Sequence, residues 1–289
     1  MSNIILQCGS KSFSKVDLPL IMGIVNVTPN SFSDGGLFLN PKRALAHALA
    51  LIDDGADIID IGGESTAPGR DPVNKEEECA RVIPVIEALI KRGFDAISID
   101  TRKADVAKMA LQAGASWIND QMAGFDNTMP LVMSKAERVV IMHSRGKTSG
   151  VKAGEEIFYK DLFFEIKQFF NERMTVLNDH GVAKERIIFD PGIGFGKGLR
   201  DSFCIINGLN ELSDNPILIG LSRKSFLGNL LRIDDPNRRD FATLSAELQA
   251  IKNGASIVRT HNVLALKQAI KIQKACEDTS YENLYSARG

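Results

Sequence analysis

The alternation of short apolar runs with longer stretches of helical spacing is the feature that most constrains the fold of this chain. The runs are rich in β-branched residues, as expected for the buried strands of a parallel sheet. Several of the intervening stretches end in a glycine, which tolerates the positive φ of a helix C-cap. Eight runs are present, at residues 21–27, 57–61, 96–100, 117–120, 138–143, 187–190, 217–222 and 257–261.

Eight strand–helix units without a break in composition predict a closed parallel barrel of the α/β class, the (β/α)8 or TIM barrel. We expect residues 1–289 to form a single domain, because one such barrel often fills a chain of this length. Residues 1–18 precede the alternation and are predicted to form a short N-terminal hairpin that closes the bottom of the barrel. The predicted helices span residues 41–55, 75–92, 103–113, 128–136, 160–180, 200–213, 239–253 and 263–277.

A doubly wound open sheet is the main alternative fold for a chain with this alternation. That fold carries a GxGxxG segment after its first strand, where the backbone approaches a dinucleotide. Here the first run leads into NVTPNS at residues 26–31, which contains no glycine. The closed barrel is therefore favoured.

The overall charge and the cysteine pattern argue against several functional classes. The net charge of −1 gives no global attraction to nucleic acids or anionic membranes. The 4 cysteines form no CxxC pair and stand at no zinc-ligand spacing with histidine, so we expect reduced cysteines in a cytoplasmic protein. No apolar run is long enough to cross a bilayer, and the first residues do not resemble a signal peptide.

Polar side chains stand at or just after the ends of all eight predicted strands. In barrels of this class the active site lies at the carboxyl ends of the strands. A helix-capping role explains any one of these residues, and for Asp120 alone capping and function are equally good explanations. Eight polar ends in a row favour a functional site. The residues are Asn26, Glu64, Asp100, Asn119, Asp120, His143, Asp190, Ser222, Arg223, Lys224, Ser225, Arg259 and His261.

The chemistry of this set predicts a ligand with two different ends. The carboxylates and the amide suit the polar edges of a heterocycle, such as a nucleobase or a pterin. The cationic and imidazole side chains suit a phosphate or pyrophosphate. The first group comprises Asp100, Asn119 and Asp190, and the second comprises Lys224, Arg259 and His261.

The glycine-rich segment 191–197 is not a P-loop, because that motif needs a glycine where Pro191 stands and a Ser or Thr where Gly198 stands. It predicts either a tight turn or, as we prefer, a loop that lets the backbone and Phe195 approach a flat ligand. Long polar segments after three other strands are predicted to act as mobile lids, at residues 28–39, 65–73 and 144–155.

Seven segments of the chain resemble motifs of the dihydropteroate synthase family. They occur in the family's order and cover the chain from about residue 20 to about residue 262, which makes the set specific. The segments are MGIVNVTPNSFSDGG (22–36), DIGGEST (60–66), IDT (99–101), IND (118–120), DPGIGFGK (190–197), SRKS (222–225) and RTH (259–261).

The resemblance implies a reaction of folate synthesis. The family joins 6-hydroxymethyl-7,8-dihydropterin pyrophosphate to p-aminobenzoate and releases 7,8-dihydropteroate and pyrophosphate. Magnesium (Mg2+) accompanies the pyrophosphate, and sulfonamides inhibit the family by mimicking p-aminobenzoate. We expect a dissociative substitution, because pyrophosphate is a good leaving group once its charge is neutralised. No nucleophilic side chain is then needed.

The resemblance also implies roles for individual residues. Catalysis would involve Asp100, Asp190, Lys224, Arg259 and His261. The pterin would be bound by Asp100, Asn119, Met142, Asp190, Phe195, Lys224 and Arg259. The pyrophosphate would be bound by Asn26, Thr66, Arg259 and His261, with Asn26 also contacting the metal. The p-aminobenzoate would be bound by Phe32, Asp34, Pro68, Phe195 and Ser225.

Several positions depart from the family's usual pattern. Ala67 stands where the family has an arginine, so one pyrophosphate contact is missing, and Arg70 is a hypothetical substitute. Asn262 follows His261 where an aspartate is usual, and Ser202 stands where asparagine is frequent. These changes concern the behaviour of the loops more than the reaction.

Two other functions compete with the synthase. A corrinoid-type pterin methyltransferase shares the pterin-binding barrel, but it has no need of the SRKS and RTH segments. A catalytically weak paralogue that only binds pterin would be consistent with Ala67. The expected partners are small molecules, namely the two substrates and sulfonamides, with no nucleic acid and no membrane. The resemblance further implies a homodimer.

Overall fold

The computed structural model describes residues 6–28, 41–64, 72–144 and 158–277. Two short strands, β1 (Leu6–Cys8) and β2 (Lys11–Phe13), pair as an antiparallel hairpin. Eight parallel strands follow along the chain. They are β3 (Leu20–Asn26), β4 (Ile58–Gly62), β5 (Ile97–Asp100), β6 (Trp117–Asp120), β7 (Arg138–Met142), β8 (Ile187–Asp190), β9 (Leu218–Gly220) and β10 (Ile257–Thr260).

The eight parallel strands close into a barrel. Their order is β8-β7-β6-β5-β4-β3-β10-β9, so β8 and β9 form the two ends of the hydrogen-bonded series. These ends meet where Phe189 pairs with Ile217, and the Phe189 N–H donates to the Pro216 carbonyl over 2.9 Å. The predicted TIM barrel is therefore confirmed.

Helices surround the barrel and follow its strands. They are α1 (Pro41–Asp53), α2 (Lys75–Ile90), α3 (Ala104–Gln112), α4 (Met129–Met133), α5 (Leu162–Asp179), α6 (Leu199–Asn207), α7 (Ser225–Leu231), α8 (Asp240–Lys252) and α9 (Val263–Glu277). Their outer faces meet water, and their inner faces pack on the strands in one large apolar cluster. This is the packing expected when every strand of a parallel sheet is covered by a helix.

The structure corrects two helix predictions and adds one helix. The predicted helix 200–213 is divided at Gly208, where an added Cβ would lie 2.4 Å from the Phe163 ring. The helix predicted at 128–136 is only five residues long, from Met129 to Met133. Helix α7 was not predicted, because seven residues with Gly228 among them are too short to show a helical period.

The inside of the barrel changes from apolar to polar along the strands. Successive side chains of a strand alternate between the inside and the helical layer. The lower inside layer is an apolar cluster that includes Met22, Ile58, Ala96, Trp117, Val140, Ile188, Leu218 and Ile257. Two positions further along the same strands, the inside layer consists of Ile24, Asp60, Ser98, Asn119, Met142, Asp190, Gly220 and Arg259.

The N-terminal hairpin closes the apolar end of the barrel, as predicted. Leu6, Cys8 and Phe13 belong to the lower apolar cluster. The Trp117 indole N–H donates to the Gln7 carbonyl over 2.7 Å, so the largest inside residue is tied to the hairpin. The other end of the barrel is therefore the one left for a ligand.

None of the helices within the described ranges has the length and apolar character that a membrane crossing requires.

Candidate active site

Arg259 joins two carboxylates inside the upper half of the barrel. Its Nε donates to Asp60 Oδ2 over 2.6 Å, and its Nη2 donates to Asp100 Oδ2 over 2.8 Å. Burial opposes the charge of the guanidinium, but the two carboxylates outweigh this effect and hold the pKa of Arg259 above its usual range. The cation is therefore fixed at the strand ends.

Asp60 also orients Asn119. The Asn119 Nδ2 donates to Asp60 Oδ2 over 3.1 Å, which leaves the Asn119 Oδ1 as an acceptor. Asp60 is fully buried. It was not among the predicted site residues. A single carboxylate at an inside position of an otherwise apolar strand was the sequence signal that could have identified it.

Asp100 lies at the end of β5 and accepts hydrogen bonds from Arg259 and from Gln121. The Gln121 Nε2 is 3.1 Å from Asp100 Oδ1. Burial raises the pKa of Asp100 to about 7, with Arg259 lowering it and Asp60 raising it further. A carboxyl group with a pKa near neutrality is typical of functional sites.

Asp190 and Met142 lie on neighbouring strands on the other side of the barrel. Met142 is paired in register with Asp190 and is buried. The Gly192 N–H donates to Asp190 Oδ1 over 2.7 Å. Gly192 has a φ of 69°, and an added Cβ would lie 2.0 Å from the His143 carbonyl oxygen, so this turn requires glycine. Burial raises the pKa of Asp190, while Lys224 opposes the rise.

Lys224 reaches across to the glycine-rich segment. Its Nζ donates to the Ile193 carbonyl and lies 4.7 Å from the centroid of the Phe195 ring. Burial lowers the pKa of Lys224 to about 8, although the Asp190 carboxylate opposes this. The segment is therefore a tight turn that places the Phe195 ring next to Lys224, and its approach to a flat ligand stays a prediction.

His261 is held by Ser222. The Ser222 Oγ lies 2.9 Å from His261 Nδ1 and accepts from the His261 backbone N–H over 3.2 Å. The hydroxyl oxygen has two lone pairs and can also accept from Nδ1–H, so the direction of the second hydrogen bond follows the tautomer of the imidazole. Burial, with Arg223 and Arg259, lowers the pKa of His261 to about 3. At neutral pH this imidazole is therefore a neutral hydrogen-bond donor and not a cation.

Arg223 anchors the segment between Ser222 and Lys224. Its φ of 61° is left-handed, which is unusual for a residue with a side chain. Its Nε and Nη2 donate to the two oxygens of Asp240 over 2.7 and 3.0 Å. Asn262 donates to Asp240 over 3.3 Å, so the residue that departs from the family pattern adds a link to this anchor.

A charged cluster joins the ends of β4 and β5. Glu64 accepts from Arg102 Nε over 3.0 Å and from Lys103 Nζ over 2.8 Å. It also accepts from the Val73 backbone N–H over 3.1 Å. Burial opposes the charge of Glu64, but these donors together lower the pKa of its carboxyl group. Glu64 therefore stabilises the strand ends.

The contacts of Asp120 and His143 indicate structural roles. Asp120 accepts from the backbone N–H groups of Met122 and Gly124 over 2.8 and 2.6 Å and so forms the turn after β6. For this residue the capping explanation is the better one. His143 is buried, and its ring centroid lies 4.9 Å from that of Phe169.

The remaining predicted residues divide into two groups. Asn26 ends β3, and its register partner Gly62 is in turn paired with Asp100. Ser225 is exposed at the start of α7, next to Lys224. Four predicted residues lie outside the described residues, as do the positions of the altered motif around Ala67. They are Phe32, Asp34, Thr66 and Pro68.

Comparison with known proteins gives a family for this chain. The family described as pterin binding enzyme matches residues 22–261. Dihydropteroate synthase from Synechocystis sp. is 42% identical over 274 residues, which are 93% of this chain and 94% of the relative. Dihydropteroate synthase from Clostridium beijerinckii is 41% identical over 92% of this chain and 97% of the relative.

Solved structures of dihydropteroate synthases share the fold. That from Xanthomonas albilineans with 4-aminobenzoic acid has a TM-score of 0.88 and 37% identity, covering 96% of this chain and 100% of that chain. The same enzyme with 7,8-dihydropteroate has a TM-score of 0.84, 36% identity and the same coverage. The Yersinia pestis enzyme with a sulfonamide drug has a TM-score of 0.87 and 38% identity over 95% of this chain and 100% of that chain. The chain therefore belongs to the pterin binding enzymes and, among them, to the dihydropteroate synthases, transferases of folate biosynthesis.

Proposed function

We propose that this site condenses 6-hydroxymethyl-7,8-dihydropterin pyrophosphate with p-aminobenzoate to form 7,8-dihydropteroate and pyrophosphate. The observation that carries the proposal is the fixed polar layer at the carboxyl ends of the strands. It contains the Asp60–Arg259–Asp100 ion pairs on one side and Lys224 with Asp190 on the other. The dihydropteroate complex of the Xanthomonas albilineans relative supports the same product.

The heterocycle lies between these two sides. Asp100, Asn119 Oδ1 and Asp190 accept hydrogen bonds from its N–H groups, while the Lys224 ammonium donates to an acceptor of the ring. Met142 and Phe195 supply apolar contact for the flat faces of the ring. Arg259 stacks on the heterocycle and reaches the pyrophosphate, as the family resemblance implies.

The pyrophosphate is held by donors that are available at neutral pH. Arg259 carries a fixed positive charge, and the neutral His261 imidazole donates from Nε2 in the tautomer whose Nδ1 accepts from Ser222. Asn26 and Thr66 complete the set that the resemblance implies. Neutralised by these donors, pyrophosphate leaves with the electron pair of the bond between its oxygen and the pterin methylene carbon.

The resulting cation at the methylene group is delocalised into the ring and stabilised by the carboxylates of Asp100 and Asp190. The aniline nitrogen of p-aminobenzoate then attacks the methylene carbon and loses one proton to water. No bond forms between the pterin and the protein. Detection by mass spectrometry of a covalent pterin–protein adduct during turnover would contradict this mechanism.

The second substrate, p-aminobenzoate, binds against Phe195 and Ser225 and against two further segments, one containing Phe32 and Asp34 and the other containing Pro68. Sulfonamides compete for this position. The sulfonamide complex of the Yersinia pestis relative supports this assignment.

Magnesium accompanies the pyrophosphate in this proposal. Asn26 offers an amide oxygen, which is the donor type that Mg2+ prefers, and Mg2+ usually retains water and substrate oxygens as its other ligands. Among the described residues, no group of three or more His, Cys, Asp or Glu is arranged to hold a metal. The residues therefore fit an ion held mainly by the pyrophosphate, with Asn26 as the protein contact. When bound, the ion would neutralise charge on the leaving group.

Pyrophosphate release tests the proposed function. Purified protein is given magnesium and the dihydropterin pyrophosphate, with and without p-aminobenzoate, and dihydropteroate is measured as well. We expect release that depends on p-aminobenzoate and yields dihydropteroate. Tight pterin binding without release would instead favour the non-catalytic paralogue. Neither the named relatives nor the site favours the corrinoid-type methyltransferase.

We further propose that the protein is a cytoplasmic homodimer. Three large apolar side chains are exposed on α7 and at the start of α8, and both helices contact the short helix at residues 236–239. Phe241 is 91% exposed, and Leu230 and Leu231 are 54% and 49% exposed. A second copy would cover this apolar surface. Light scattering of Phe241→Glu is expected to give a monomer, and an unchanged mass would exclude this surface as the interface.

A further inference from the structure

Gln121 is a site side chain whose role is not given by any of the predicted motifs. It directly follows β6, and its hydrogen bond to Asp100 places its side chain at the strand ends beside the inside residue Asn119. The Gln121 Nε2 is 3.1 Å from Asp100 Oδ1 and 3.4 Å from Asp100 Oδ2. A carboxylate only accepts hydrogen bonds, so the amide nitrogen faces Asp100 and the amide oxygen points away from it.

The Gln121 amide oxygen is buried and has no hydrogen-bond partner within the described part of the chain. Leaving a buried acceptor unsatisfied costs free energy, and an apolar side chain of similar size would avoid this cost. An unsatisfied acceptor beside Asp100 therefore suits a site in which a ligand supplies the missing donor.

The surroundings of Gln121 match one side of the substrate. Asn119 uses its amide N–H on Asp60, so it also presents an oxygen. The side of the barrel at the ends of β5 and β6 thus presents three acceptor groups to a ligand. They belong to Asp100, Asn119 and Gln121. A dihydropterin ring carries N–H donors at its 2-amino group, N3 and N8. Lys224, across the barrel, serves the acceptors of the ring.

We propose that the Gln121 Oε1 accepts a hydrogen bond from one N–H group of the substrate heterocycle, while the Gln121 Nε2 holds Asp100 in place. Gln121 is thereby a specificity-determining residue for the heterocycle. This inference rests on the proposed function, because it takes the dihydropterin as the ligand of the site.

The test compares wild type with Gln121→Met, which has a similar size but no strong hydrogen-bonding group. Calorimetry with magnesium measures the binding of dihydropterin pyrophosphate and of three analogues, each lacking the 2-amino, the N3–H or the N8–H donor. Gln121→Met is expected to weaken the binding of the parent compound about tenfold. One analogue should bind to wild type and to the variant with equal affinity, because it lacks the N–H group that donates to Gln121.

A purely structural role gives a different pattern. If Gln121→Met weakens the parent and all three analogues by the same factor, or weakens none of them, the inference is wrong. The KM for p-aminobenzoate should stay unchanged in the variant, and Gln121→Leu repeats the comparison if the methionine variant does not fold. Turnover by the wild type is measured separately, so a failure of the proposed function is distinguishable from a failure of this inference.

Discussion

Asp100 and Lys224 are two ionisable residues of the site for which burial brings the pKa close to neutrality. Burial raises the pKa of Asp100 to about 7 and lowers that of Lys224 to about 8. The proposed roles need an ionised carboxylate and a protonated ammonium. Only a narrow range of pH satisfies both requirements.

The value of kcat/KM for the pterin substrate should therefore follow a narrow bell. It should rise as Asp100 loses its proton near pH 7 and fall as Lys224 loses its proton near pH 8. The measurement is the pH profile of initial rates at low pterin concentration. The arginine in Lys224→Arg keeps its charge at high pH. The alkaline limb of the kcat/KM profile should therefore shift to higher pH in this variant, even if the maximal value is lower. An alkaline limb that is identical in this variant would contradict the assignment.

Glu247 on α8 has a different kind of perturbed carboxyl group. Burial raises its pKa to about 8, and its Oε1 has no hydrogen-bond partner within the described ranges. The folded protein keeps the proton of Glu247 between the usual carboxyl pKa and about 8, whereas the unfolded chain loses it. Raising the pH through this window therefore favours the unfolded state.

Glu247→Gln removes this penalty, since glutamine is neutral at every pH. The free energy of unfolding of the variant, relative to wild type, should increase by about 1.4 kcal/mol per pH unit within the window. Urea denaturation at a mildly acidic pH and at a mildly alkaline pH measures the difference. If the free energies of unfolding of variant and wild type differ by the same amount at both pH values, the Glu247 carboxyl group does not keep its proton in the folded protein.

At the scale of elements, the turn from β9 into α7 determines how two site residues are presented. Arg223 lies between Ser222 and Lys224, with left-handed backbone and a bidentate bond to Asp240. The Arg239 Nη1 donates to the Arg223 carbonyl over 2.9 Å. The strain of the backbone is therefore balanced by hydrogen bonds that hold the turn.

Two substitutions at Arg223 separate the backbone from the side chain. Both Arg223→Ala and Arg223→Gly lose the bond to Asp240, and both should lower kcat/KM because Lys224 and Ser222 are less well held. Only glycine adopts the left-handed conformation without strain. Arg223→Gly should therefore be more stable than Arg223→Ala by about 1 kcal/mol in urea denaturation. An alanine variant as stable as the glycine variant would contradict the role of the backbone.

The prediction of elements succeeded where the sequence carries an apolar run or a helical period and failed where it carries neither. All eight strands were predicted from β-branched runs, because each buried strand carries its own apolar signal. Helix α7 and the break at Gly208 left no such signal. Gly208 lies against the Phe163 ring, which is 45 residues earlier in the chain, and no local pattern of residues specifies such a contact.

At the scale of the whole molecule, the contacts that stabilise the barrel and the residues of the site lie at opposite ends of the barrel. The hairpin closes one end, where Gly9 has a φ of 58° and donates to Glu137 Oε2 over 2.8 Å. An added Cβ at Gly9 would lie 2.5 Å from the Asp95 carbonyl oxygen. The polar layer and its ion pairs occupy the other end.

Gly9→Ala should therefore destabilise the protein without altering the site. Strain at this turn is expected to cost about 1–3 kcal/mol and to lower Tm by several degrees. The KM values for both substrates should remain those of the wild type at a temperature where the variant is folded. A changed KM would show that the two ends are coupled. Differential scanning calorimetry and initial rates provide the two measurements.

The sequence by itself determined the closed barrel, the end at which the site lies and the family of the chain. These properties can be read from contiguous residues. Each buried strand is an apolar run in the sequence, and each motif directly follows one of these runs. The ordered motifs therefore predicted Asp100, Asn119, Asp190, Lys224 and Arg259 as site residues, and these side chains line the same end of the barrel.

Only the tertiary structure decided which groups are partners and which protons they carry. Arg259 and Asp60 are 199 residues apart, and they meet because the barrel closes. The orientation of Asn119, the neutral state of His261 and the unsatisfied oxygen of Gln121 all follow from contacts of this kind. Their physical cause is burial, since removal of water makes each hydrogen bond and each charge depend on neighbours that no local pattern of residues specifies.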